Sequence, residues 1–353
     1  MRGVTLIAAA LCIFLFVRDG LSVLPRTALP QATPSSSTAP RFLRYVPSVL
    51  EAEWAANILS WQDNICSKMA EQRAVFQRLL DALDLQHYEG GRTAQGAGAE
   101  ALDALEADGL LSVMEFATAD DKVVRVRLAP LVGMLRDPRV GCPPHKYGTG
   151  AFTELFGVDM YEQWQVQDRM WLFLDPRATA LHRDGRGLLV DLGASTWDHA
   201  SGARWLTRRL EQQGVRFEHV WAWEARQIEP RTYFQGADPA QLAHLHFYNW
   251  PVSAARGAAD NPWTLVKAAA KAADRVVVKL DIDTESIDNA LAYQLLDDPE
   301  LLALVDELYY EYHFVNKDME WIWADSHFSA KVADTYLLFS QLRQKGVRAN
   351  PWP

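Results

Sequence analysis

Between Leu188 and Phe314 the chain carries a succession of apolar runs, with polar or acidic residues at or near their ends and helix-like segments between them. The runs are Leu188 to Ser195, Phe217 to Ala225, His244 to Ser253, Arg275 to Asp283 and Leu304 to Phe314. Near-continuous apolar strands linked by helices form parallel sheets buried on both faces, because an alternating pattern is needed only where one face meets water. The expected fold is therefore α/β, a doubly wound and mostly parallel sheet. Ligands of such sheets sit at the carboxyl ends of the strands, where Asp191, Glu224 and Asp283 fall.

The segment before this sheet reads differently. Val4 to Val17 is a mostly apolar run preceded by Arg2 and followed by Arg18 and Asp19. It is short for a membrane span and suits a signal-peptide core or a short anchor, with a small-residue cleavage site after Ser22. Residues 1–22 are expected to direct the chain into the secretory pathway, to a Golgi or endoplasmic reticulum membrane or for secretion. Import into an organelle is the alternative, since the first 50 residues hold Asp19 as their single acidic residue. Residues 23–48 are rich in Pro, Ser and Thr and read as a stalk that cannot bury a core.

From Leu50 the pattern becomes helical. Leu50, Trp54, Ile58, Trp61, Ile65, Met69, Phe76, Leu79 and Leu83 recur at helical spacing, which predicts one long amphipathic helix with a break near Lys68. Leu110 to Ala117 and Lys122 to Leu128 flank Thr118 to Asp121 and predict a β-hairpin. Met160 to Leu174 reads as a further helix. Residues 49–175 are thus expected to be an accessory region and 176–353 the α/β domain.

The formal charge of −10 argues against a nucleic-acid partner, which needs clustered Lys and Arg. Three cysteines are too few for a disulfide scaffold. With Cys12 in the apolar run, Cys66 and Cys142 are the candidate pair in an oxidising lumen, and two unconnected thiols are the alternative.

At the strand ends the chain resembles the FkbM-type methyltransferases. The resemblance covers about residues 185 to 320 and rests on Asp191-Leu192-Gly193-Ala194, Trp223-Glu224-Ala225, Asn249-Trp250-Pro251-Val252-Ser253 and Lys279-Leu280-Asp281-Ile282-Asp283-Thr284-Glu285. It implies the class I, Rossmann-like methyltransferase fold, S-adenosylmethionine as cofactor, and a hydroxyl of a glycan or small metabolite as methyl acceptor. It places Asp191, Gly193 and Ser195 beside the cofactor and Glu224 on its ribose. Asp283 and His313, at the same sheet edge, are the expected acceptors of the hydroxyl proton, and no residue is assigned to a metal. The chain departs from the family pattern at Asp283 and Thr284, where the family has Glu and Gly, and at Ser286, where it has Glu. It departs again at Ser195 and Trp197, which stand where a Gly-rich turn would continue. Glu224 follows Asp191 by 33 positions, against about 20 in dinucleotide folds, so an insertion is expected around Trp197 to Arg209.

Two other classes fit parts of the pattern. An anchor, a stalk and Asp281-Ile282-Asp283 after an apolar strand are also the layout of a lumenal glycosyltransferase, with a divalent metal held on sugar-nucleotide phosphates. A methyltransferase-like module without catalysis would use its 13 tryptophans, Trp321 and Trp323 included, as an interaction surface. Plain structural roles compete for single residues as well: Glu224 paired with Arg226, Gly193 serving only a tight turn, and His246 and His313 as satisfied core residues.

Overall fold

A computed structural model of the chain describes residues 40–79, 97–135, 172, 175, 181, 185–198, 202–316 and 328–352. The first elements are β1 (Arg41–Val46), α1 (Val49–Trp61), α2 (Ile65–Glu71), helical residues 73–79, α3 (Ala97–Ala107), β2 (Ser112–Ala117) and β3 (Val123–Leu128). β2 and β3 form the predicted hairpin, and β1 joins it as a third antiparallel strand on the other side of β2. The stalk expected over 23–48 therefore ends before Arg41. A six-residue strand, RFLRYV, that leaves both arginines and both Leu43 and Val46 exposed carries too little apolar periodicity to stand out from the Pro-rich sequence before it.

The expected long helix is also divided differently. It stops after Trp61 and again after Glu71 rather than at Lys68. The breaks fold the chain back so that the Trp54 indole N–H donates to Gln72 at 2.8 Å and its ring meets Trp61 and Phe76 edge-on. The predicted apolar stripe is core, with Leu50, Trp54, Ile58, Ile65, Met69, Phe76 and Leu79 all buried. Cys66 is disulfide-bonded. Its proposed partner Cys142, the helix expected over Met160 to Leu174, the N-terminal apolar run, and Trp321 and Trp323 lie outside the described residues.

The second sheet is built from β4 (Gly187–Leu192), β5 (Phe217–Trp223), β6 (Leu245–Tyr248), β7 (Arg275–Leu280), β8 (Val305–Tyr310) and β9 (Arg348–Pro351). Between them lie α4 (Ala203–Gln212), α5 (Pro230–Tyr233), α6 (Pro239–Leu242), α7 (Pro262–Ala269), α8 (Glu285–Asp297), α9 (Pro299–Leu304) and α10 (Val332–Gln344). All five strand pairs are parallel, in the order β6-β5-β4-β7-β8-β9. This is the strand order of Rossmann-like sheets. β4 and β7 are buried at every position, as central strands covered on both faces must be. α4 occupies most of the stretch expected to hold an insertion.

β9 has no counterpart among the expected strands. Its sequence, RANP, is short and polar, yet all four residues are buried. The cost of burying Arg348 is offset by Glu307 of β8, which also takes Arg275 of β7 and the Tyr309 hydroxyl at 2.7 Å. Burial opposes the charge on Glu307, but Arg348 and Arg275 outweigh it and hold the carboxyl pKa down at about 2.

Residues Thr38–Pro353 form one compact unit. The region expected to be a separate accessory shares its core with the parallel sheet: Tyr336 of α10 donates to the Gly133 carbonyl at 2.9 Å, and Asn316 donates to the Gln62 carbonyl at 2.7 Å. No helix among the described residues is long and apolar enough to cross a membrane.

Candidate functional site

The strand order reverses between β4 and β7, which opens a crevice at their carboxyl ends. After β4 the chain turns through Gly193, Ala194 and Ser195. The Gly193 and Ala194 N–H groups both donate to the Trp223 carbonyl at the end of β5, at 3.1 and 2.9 Å. Gly193 has φ of 82°, and a Cβ there would lie 1.6 Å from the Asp281 carbonyl oxygen. The glycine is thus required by the close approach of β7, whatever lies in the crevice. Ser195 (φ 52°) and Asp283 (φ 62°) are non-glycine residues in the left-handed region on the two sides of the opening. Backbone strain of this kind persists only where surrounding contacts fix it.

Glu224, just past β5, is 7% exposed. Its Oε2 accepts the Ser195 backbone N–H at 2.9 Å, and its Oε1 accepts the N–H of Arg226 at 2.8 Å and the Arg226 Nε at 3.1 Å. The Arg226 guanidinium also reaches the Ser195 hydroxyl at 3.3 Å. Two readings of Glu224 that the sequence set against each other therefore coexist: it borders the turn after β4 and it pairs with Arg226. Asn249, after β6, steadies this rim by donating to the Glu224 carbonyl at 2.8 Å.

Asp191 and Trp197 occupy places other than those expected. β4 runs on to Leu192, so the Asp191 side chain is still inside the sheet and 0% exposed. It faces the Lys279 ammonium at 3.3 Å and has no exposed surface to border a cofactor. Lys279 is 2% exposed and also reaches the Asp281 carboxylate at 2.9 Å and the Gly193 carbonyl at 3.3 Å. Burial works against its charge, but the carboxylates of Asp191 and Asp281 outweigh this and hold its pKa above the ordinary lysine value. The Trp197 indole is buried in the core, so it does not block the turn.

Across the opening, the structure brings Asp283 and His313 together. The Asp283 carboxylate lies 3.5 Å from His313 Nε2, with side-chain exposures of 78% and 4%. The imidazole stacks on Phe328 with ring centroids 4.6 Å apart. Glu311, a residue the sequence analysis passed over, joins them: one ligand-type atom from each of Asp283, Glu311 and His313 lies within 4.8 Å of the others. Glu311 follows a different strand from Asp283, and only the adjacency of β7 and β8 makes the two neighbours. Asp281 and Asp283 diverge, the first toward Lys279 and the second toward His313, so they do not share one site. His246 sits away from this edge, its Nε2 2.9 Å from His219 Nδ1 on the neighbouring strand. Burial and the nearby His219 lower its pKa.

The loop that carries Asp283 is fixed by Asp288 in the first turn of α8, which accepts the N–H groups of Ile282 at 3.2 Å and Thr284 at 2.9 Å. Burial raises the Asp288 pKa from 3.8 to about 7, although both N–H bonds oppose the shift. A carboxyl whose folded pKa is raised stabilises the fold fully below its unfolded pKa, and that stability is lost as pH rises through the folded value. Between about pH 5 and pH 8 the native chain should therefore lose roughly 2–3 kcal/mol more stability than an Asp288→Asn variant. Urea unfolding at the two pH values measures this, and parallel pH profiles for the two proteins would contradict it.

No protein-family model matches this chain, and no curated protein matches it.

Proposed function

We propose that the chain is an S-adenosylmethionine-dependent methyltransferase of the class I, Rossmann-like type, acting on a hydroxyl of a glycan or small metabolite. The observation that carries this reading is the meeting of four strand ends, those of β4, β5, β7 and β8, at the reversal point of a parallel sheet. The turn Gly193 to Ser195 and the Glu224 carboxylate lie on one side, and Asp283 with His313 on the other. Arg226 feels the charge of both Glu224 and Asp283, which supports one continuous crevice.

The donor set suits a ribose. Glu224 offers a carboxylate beside the Ser195 hydroxyl, and hydroxyl groups bond well to an ionised acceptor. Arg226, whose side chain is largely exposed, must exchange for those hydroxyls and can turn outward to water as it does so. When bound, the cofactor supplies an electrophilic methyl group on a sulfonium. The chain's own part is to hold an acceptor oxygen in line with that methyl and to take up its proton at the Asp283 and His313 pair. The disulfide at Cys66 supports an oxidising, lumenal setting.

The hold of Arg226 on Glu224 also favours a second reading, a methyltransferase-like module whose cofactor place is closed by its own side chain. The glycosyltransferase reading loses its main support with the divergence of Asp281 and Asp283. Thermal unfolding of the full chain separates the three, because a ligand of the native state raises its stability by about 2.7 kcal/mol at a hundredfold excess over Kd. S-adenosylhomocysteine should raise the midpoint, and sugar nucleotides added with manganese should raise it no further than manganese alone does. A shift with the sugar nucleotides alone would point to glycosyl transfer, and no shift with either would point to the closed module.

A further inference from the structure

We infer that Asp283, Glu311 and His313 form a binding site for a divalent transition-metal ion at the carboxyl edge of β7 and β8. The three groups are two carboxylates and an imidazole, drawn from two adjacent strand ends, with donor atoms within 4.8 Å of one another. Two donors bound to one ion at about 2.1 Å each lie up to about 4.2 Å apart, so closure asks for side-chain movements of about an ångström or less. The exposed Asp283 carboxylate supplies that freedom, while His313 is held by the stacked Phe328 and points its Nε2 at the mouth. The Glu311 backbone N–H donates to the Leu280 carbonyl at 3.0 Å, which keeps that residue alongside the end of β7.

The surrounding acids have other tasks. Asp281 is paired with Lys279, and Asp288 accepts the two backbone N–H groups on either side of Asp283. Glu285 accepts from the backbone of Ser329 at 3.0 Å and of Ala330 at 2.9 Å, which closes the segment next to Phe328. Asp283 and Glu311 each bring a carboxylate oxygen within 4.8 Å of the His313 imidazole. An imidazole donor selects Mn2+, Fe2+ or Zn2+ over Mg2+ and Ca2+, which prefer an all-oxygen set. Three protein donors leave coordination positions open to an exogenous oxygen. Where a hydroxyl acceptor also occupies the crevice, such an ion replaces the imidazole as the group that lowers the hydroxyl's proton affinity.

The test is a titration of the full chain, freed of metal by chelation, with Mn2+ followed by loss of the free-ion paramagnetic resonance signal, and with Zn2+ by calorimetry. One ion per chain is expected to bind, with Mg2+ competing poorly. Asp283→Asn is the main variant, since asparagine tolerates the left-handed backbone at φ 62° and should leave the fold intact. It and Glu311→Gln should each weaken binding by about tenfold or more. Their unfolding midpoints in chelator should match that of the unaltered chain. No saturable binding of Mn2+ or Zn2+ at about millimolar concentration would overturn the site. Binding that both variants leave unchanged would overturn it as well. The titration contains no S-adenosyl compound, so its failure and a failure of the cofactor reading are separate results.

Discussion

Replacing Glu51 by Ala is expected to cost the fold roughly 3–5 kcal/mol, the range for leaving one partner of a buried ion pair alone. Glu51 is the third residue of α1, and its carboxylate gathers groups from four parts of the chain. It accepts from the Ser112 hydroxyl at 2.6 Å, the Leu131 backbone N–H at 3.0 Å, the Arg343 guanidinium at 3.2 Å and the Tyr45 hydroxyl. Arg343, in α10, is wholly buried and spans from Glu51 to the carbonyls of Ala129 and Ala349, at 3.1 and 2.9 Å. Removing the carboxylate leaves that guanidinium without a counter-charge at the seam between the antiparallel and parallel sheets. The double replacement of Glu51 by Leu and Arg343 by Met should be milder than either single change, because it removes both charges. Denaturant midpoints for the two single variants and the double measure this. A loss below about 1 kcal/mol for Glu51→Ala would show that the seam does not depend on the pair.

The Lys279→Met variant should lose a similar amount, roughly 3–5 kcal/mol near neutral pH, and for a reason that reaches the crevice. Met fills the volume but leaves Asp191, with no exposed surface, facing an apolar neighbour. It also releases the Asp281 carboxylate and the Gly193 carbonyl, both of which the ammonium reaches. Without the ammonium, burial raises the Asp191 pKa unopposed, so the variant's stability is greatest in acid and is lost as pH rises through that raised value. Unfolding midpoints should therefore converge on those of the unaltered protein below about pH 5 and diverge above it. A deficit that does not change with pH would assign the loss to packing.

The buried pair of Asp191 and Lys279 also shows what could be read from the chain and what could not. β4, β5, β7 and β8 were legible because each is an apolar run of strand length, and the sheet's parallel character followed from the helices between them. The place of Asp191 was not legible from β4 alone. In the parallel register Asp191 lies opposite Lys279, and paired positions on neighbouring strands share a face. A basic residue at the matching point of the next central strand was the available signal that this aspartate looks inward. β9 stayed hidden because its buried polar residues find partners in distant strands, as Arg348 does in Glu307, and β1 because a half-exposed six-residue strand carries little apolar periodicity. Asp283 and His313 are alternative proton acceptors at one sheet edge when read from the sequence, and their contact comes from the adjacency of β7 and β8. Glu311 was missed because its neighbours come from strand adjacency and not from spacing along the chain.

Titration of the full chain with S-adenosylhomocysteine, alongside a Glu224→Gln variant, tests the central claim most directly. Gln keeps the size of the side chain and an acceptor for the Ser195 N–H but removes the charge that a ribose would meet. The unaltered chain should bind one equivalent, and the variant should bind it about tenfold or more weakly, from the loss of a charge-assisted bond worth roughly 1.5–3 kcal/mol. The unfolding free energy should fall by less than about 1 kcal/mol, since the Arg226 partner is exposed. Equal binding by the two proteins, or no binding by the unaltered chain, would contradict the assignment of this crevice to an S-adenosyl cofactor.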